Sequence, residues 1–130
     1  MRTIKGVLVD VEKETVGVVE IEKSLGGYYD AIKCCCISIT SRTIGGYRFD
    51  IVLDDEGLLY ENPKISAVDR NGEAMLLGNL FVVKSTIDGD LRSLTDAECD
   101  HVMRFIRMIY TKNHPNGYPV LSHVDYEGGF

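Results

Sequence analysis

The chain has 130 residues, 45% of them hydrophobic, with a net charge of −6 at neutral pH and four cysteines. That length buries most of its apolar surface as one domain without staples, and that hydrophobic share is ordinary for a folded protein, so disorder is not expected. The acidic balance argues against a sequence-independent grip on nucleic acid, which needs clustered Lys and Arg to release counterions.

Taken from the amino terminus, residues 3–9 and 15–21 both read as short strands bounding a charged turn, an opening hairpin. The first ten residues hold no long apolar run, so no signal peptide is expected, and no stretch is long enough to span a bilayer. Ser24 is placed to cap a short helix over residues 25–32, although Gly26 and Gly27 weaken it by about 1 kcal/mol each relative to alanine. Cys34, Cys35, Cys36 and Cys99 form neither a disulfide framework nor the paired spacing of a zinc site. They read as reduced thiols of a cytoplasmic protein, Cys35 toward the core and Cys34 and Cys36 away from it.

Residues 34–59 are the organising stretch. Tyr47, Phe49, Ile51 and Leu53 alternate with Arg48, Asp50, Val52 and Asp54, a strand with one face in the core. The preceding run alternates as well. A two-residue Gly45-Gly46 turn would put Ser38 and Thr40 on the face of Ile51 and Leu53. A three-residue loop, Ile44-Gly45-Gly46, instead pairs Ile39 with Ile51 and Ile37 with Leu53, and hydrophobic pattern sets register. That loop is the expectation, with Ser38, Thr40, Arg42, Arg48 and Asp50 on the outer face.

Asp54, Asp55, Glu56 and Gly57 make a turn by chemistry, without the spacing of a calcium loop. Residues 58–63 look irregular, residues 65–68 form a short strand, and Asn71-Gly72 is a tight turn. Residues 74–84 form a largely continuous apolar run, read as a strand covered on both faces and interrupted at Gly78 and Asn79. Asp88, Gly89 and Asp90 turn the chain again. Thr95 with Glu98 three residues on is a capping box, and Cys99, Val102, Met103, Ile106, Ile109 and Tyr110 follow at helical spacing. A long amphipathic helix over residues 96–111 is therefore expected to roof the sheet. The fold class expected is α+β: a mostly antiparallel sheet under that helix, with a short N-terminal helix. Residues 1–112 make the domain, and residues 113–130 form a tail, an edge strand or an interface arm.

For chemistry, His101, His114 and His123 are scattered, with no zinc-binding spacing, so no metal or cofactor is expected. Cys36 would act as a nucleophile only with a histidine beside it; an inert thiol is the plainer reading. Ser38, Thr40, Arg42 and Arg48, with Tyr47 beside them, present hydroxyls and guanidinium groups that suit phosphate oxygens. A solvated sheet face is the bland alternative. Asp54, Asp55, Glu56 and Tyr60 are the candidates for contact with a protein partner of basic surface.

The motifs IGGYRFDIVLDDEGLL, ENPKISAVD, GNLFVV and DGDLRSLTD, in that order, resemble those of a family of small bacteriophage and conjugative-element proteins, domain-of-unknown-function family 3846. The resemblance covers about residues 3–109; the CCC run and the tail depart from it. It implies a mobile-element origin and an accessory role, and carries over no catalytic residue. The expected function is a non-enzymatic protein that binds and neutralises a host protein, such as a defence factor, in the bacterial cytoplasm. The alternatives are a sponge for a phosphorylated nucleotide signal and a small hydrolase or thiol enzyme. A homodimer is expected, since the tail and an exposed strand edge invite pairing.

Overall fold

The computed structural model describes residues 2–34, 36–55 and 64–126. The chain opens with the expected hairpin, β1 (Thr3–Asp10) and β2 (Thr15–Glu22), Val9 opposite Val16. Buried Asp10 closes its turn, Oδ1 accepting the backbone N–H of Glu12 and Lys13 at 3.1 and 3.0 Å. Ser24 caps α1 (Leu25–Ile32), accepting the Gly27 N–H at 3.0 Å. The glycine that weakens this helix also seats it, because a β-carbon on Gly27 would lie 2.1 Å from the Glu22 carbonyl oxygen. Tyr28 and Ile32 of α1 then pack with Ile4, Val52, Phe81 and Val83.

The remaining strands are β3 (Ile37–Ile44), β4 (Tyr47–Asp54), β5 (Ile65–Val68), β6 (Ala74–Leu77), β7 (Leu80–Ser85), β8 (Leu91–Arg92), β9 (Ile106–Thr111), β10 (His114–Leu121) and β11 (Val124–Tyr126). A second helix, α2 (Asp96–Met103), precedes β9. Among the described residues, one sheet runs β11-β3-β4-β7-β1-β2 with β8 pairing β7, and another runs β6-β5-β10-β9. The main core gathers Val7, Val9, Phe49, Ile51, Leu80 and Val82 from the first sheet with Ala67, Leu76 and Leu121 from the second, and α2 adds Cys99 and Val102. No helix of the described residues is long and apolar enough to cross a membrane.

The architecture corrects the α+β expectation. Among the described residues the protein is mostly strand in two sheets, and no long C-terminal helix roofs them. The capping box at Thr95 and Glu98 is present. The helix it starts stops at Met103, where Arg104 N–H bonds to both Asp100 and His101 carbonyls and Phe105 N–H to Val102. Beyond it, Ile106, Ile109, Tyr110 and Thr111 are β-branched or aromatic, and the strand that holds them pairs with β10 instead. A stripe at helical spacing had no stop signal to separate it from a strand.

The central hairpin also differs. Ile44 pairs Tyr47 across a two-residue turn, Gly45 at φ +57 and Gly46 at φ +90, so Ile39 faces Val52, Thr40 faces Ile51 and Ser38 faces Leu53. Two positive-φ residues make the turn whose twist matches its strands. This register buries Ile44 completely and leaves Ile39 52% exposed, while Ile37 is half-buried against the α1 cluster. Anchoring Ile44 beside Phe49 and Ile51 outweighs the cost of Ile39.

The 74–84 run is two strands in different sheets, β6 and β7, with Gly78 at φ +79 and Asn79 carrying the chain across. Residues after 112 supply β10 and β11, one strand to each sheet, with Leu121 and Val124 in the main core. The readings at Cys35 and residues 58–63 lie outside the described residues.

Candidate functional site

At one end of the molecule the β1–β2 turn, the C-terminus of α1, the end of β4, the start of β5 and the β6–β7 crossover meet. Lys33 ends α1 in the left-handed conformation (φ 62), which for a residue with a β-carbon costs on the order of 1 kcal/mol. Its Nζ lies 3.1 Å from Asp10 and 3.6 Å from Glu12. Burial alone would raise the Asp10 pKa, but the Lys13 backbone N–H and the Lys33 ammonium hold that carboxyl below its ordinary value. Its bond to Asp10 in turn raises Lys33.

Asn79 joins three elements: buried, it accepts the Val11 N–H at 2.8 Å and donates to the Ile32 carbonyl at 3.0 Å. Lys64 donates to the Val11 carbonyl at 3.0 Å and sits 3.4 Å from Glu14.

These groups bound a cavity of about 200 Å³ whose walls include Lys33, Lys64, Asn79 and Asp54. A larger cleft of about 380 Å³ lies on the other side of Asp54, lined by Ser38, Leu53, Asp55, Met75 and Leu77. Asp54 is buried and Asp55 exposed. Apolar walls beside the exposed Asp55 carboxylate suit a side chain with an aliphatic stem and a cationic end.

The sequence-derived candidates distribute unevenly. Ser38, Asp54 and Asp55 come together at this cleft. Thr40 and Arg42 lie farther along the Ser38 face of β3, where Arg42 donates to Thr40 Oγ1 and to the Ser41 carbonyl, its guanidinium 4.8 Å above the Tyr126 ring. Arg42 Nε is buried with no hydrogen-bond partner among the described residues. Arg48 lies on the opposite face, its Nη2 donating to Ser41 Oγ at 2.9 Å and to Asp50 Oδ1 at 3.2 Å. The register divides the expected four-residue phosphate face between two sides of the sheet. Tyr47 stands at the hairpin tip, edge-on to His101 at 4.8 Å. Glu56 and Tyr60 lie outside the described residues.

The histidines are apart in role. His101 Nε2 donates to the Ile44 carbonyl at 2.7 Å, which places its proton on that nitrogen. His114 lies 3.3 Å from Glu14, and His123 Nδ1 lies 3.1 Å from Ser122 Oγ. Among the described residues no three His, Cys, Asp or Glu side chains gather as a metal site. Cys36 is exposed, Cys34 half-buried, and burial pushes the Cys99 thiol up.

Sequence reasoning missed Lys33, Lys64, Asn79 and Met75. Only Asn79 carried a signal, a lone amide inside an apolar run.

Among the described residues, two sheets and two short helices define a β-rich protein whose cleft lies where the sheets meet. The chain matches the family described as Domain of unknown function (DUF3846) over residues 4–108 and belongs to it. Comparison with curated proteins gave no match, and comparison with solved structures gave none.

Proposed function

We infer that this chain is a non-enzymatic accessory protein of a phage or mobile element, which binds a host protein, such as a defence factor, in the bacterial cytoplasm and neutralises it. The contact is a basic side chain of that host protein seated in the Asp54–Asp55 cleft. One observation carries the reading: an apolar-walled cleft of about 380 Å³ lined by exposed Asp55 and buried Asp54. A lysine or arginine there would gain charge-assisted hydrogen bonds while its stem replaces water along Leu53, Met75 and Leu77. The net charge of −6 steers such a partner inward. The mobile-element setting rests on the order of sequence motifs.

Immobilised protein exposed to bacterial lysate tests this. Because Asp55 is exposed, Asp55→Lys reverses charge at the cleft without touching the core. The expected result is a host protein retained by the wild type, displaced by free arginine and lost with Asp55→Lys. No retained protein, or equal retention by both forms, contradicts it.

A further inference from the structure

A stretch without acidic residues runs through β9 and β10 of the second sheet. Residues 101–124 contain three of the 14 basic residues, all three histidines and none of the 20 acidic residues. Arg104, Arg107 and Lys112 are exposed and have no ion pair among the described residues. Two of them flank β9 and the third lies on it, and β9 is the last strand of its sheet, with β10 its only strand neighbour among the described residues.

The other edges are blunted: β11 has three residues, β6 has four, and β2 carries exposed Glu20 and Glu22. β9 has six residues with neither proline nor acid. Its unpaired backbone is a template for another strand. On one of its faces Met108 is 45% and Tyr110 67% exposed. On the other lie Arg107 and half-buried Ile109, and residues 107–111 together border an open groove of about 360 Å³ that reaches Ile65, Val68 and Gly72.

We propose that the outer edge of β9 takes up an extended acidic segment of a partner protein by strand addition, with apolar and acidic residues alternating along it. The apolar side chains lie on Met108 and Tyr110. The acidic ones turn to the other face, stems over Ile109 and carboxylates toward Arg107, because neighbouring strand residues point to opposite faces. A second copy of this chain is the poorer occupant, since an antiparallel β9–β9 pair would bring two sets of Arg104, Arg107 and Lys112 onto one short ladder with no acid in either strand to offset them. Nucleic acid shares the charge but cannot complete a strand ladder. This surface is separate from the Asp54–Asp55 cleft and does not depend on it.

The test is amide mapping by NMR and hydrogen exchange with a capped octapeptide of alternating valine and glutamate. Shifts should concentrate on residues 106–111, and the β9 amides pointing away from β10 should slow. Arg107→Glu should weaken binding by about tenfold or more at unchanged melting temperature. A valine–lysine peptide should not bind. Absence of binding, shifts elsewhere, or equal binding of the lysine peptide would overturn the proposal. So would concentration-dependent protection of β9 in the protein alone, which would assign the edge to a second copy, or tighter binding of a single-stranded oligonucleotide at β9.

Discussion

The ring of Phe105 occupies the place that a β-carbon on Gly45 would need: its nearest atoms lie 2.3 Å from that point. Gly45 is at φ +57 and its N–H donates to the His123 carbonyl at 3.0 Å, so the hairpin tip, the end of α2 and the β10–β11 link close on one glycine. Gly45→Ala should cost about 3 kcal/mol, the left-handed penalty plus overpacking. Gly46→Ala, also at positive φ but with open space around it, should cost only about 1 kcal/mol. Urea unfolding of the two variants, with unchanged slope, measures the difference.

Register can be read from two isoleucines. Ile44 is fully buried and Ile39 is 52% exposed. Ile44→Ala should cost about 2–5 kcal/mol, whereas Ile39→Thr should stay within about 0.5 kcal/mol of wild type. The reverse order, by thermal or urea unfolding, would restore a three-residue loop.

Glu98 predicts an acid limb in the stability curve. Its Oε1 and Oε2 accept from Arg92 at 2.9 and 3.1 Å, and Oε1 also accepts the Thr95 N–H at 2.8 Å. Arg92 above all, helped by Thr95, holds its pKa down to about 2 against an ordinary 4.5. A folded-state pKa below the unfolded one gives stability that is complete above about 4.5 and lost as pH falls toward 2. After allowance for partial exposure, the contribution is about 2 kcal/mol. Glu98→Gln should lower stability at neutral pH and flatten the loss between pH 5 and pH 2 in urea titrations, values of about that range following from the linkage.

Asn79 is the hinge of the charged end. Asn79→Ala strands the Val11 N–H and the Ile32 carbonyl, at about 2–4 kcal/mol together. Hydrogen exchange should show α1 and the β1–β2 turn loosening before the rest of the sheet.

The legible parts of the fold were those written in local chemistry. Ser24 caps α1, Thr95 and Glu98 form their box, Asn71-Gly72 turns the chain, and the first hairpin pairs as its alternation predicts. What failed depended on distant partners. Ile106, Ile109 and Tyr110 satisfy helical and strand patterns alike, and only β10 decides between them. The β3–β4 register turned on Ile44, whose burial depends on Val124 and the main core far along the chain. Of the candidate site, Asp54, Asp55 and Ser38 were visible as an acidic turn and a strand face, but Met75 and Lys64 reach the same end only through the second sheet.

The cleft can be tested without knowing the host protein, by titrating isotope-labelled protein with a capped arginine and following backbone amides. The predicted result is saturable shifts confined to Ser38, Leu53, Asp54, Asp55 and residues 74–77, abolished by Asp55→Lys. Shifts scattered over the surface acids, or persisting unchanged in Asp55→Lys, would contradict it.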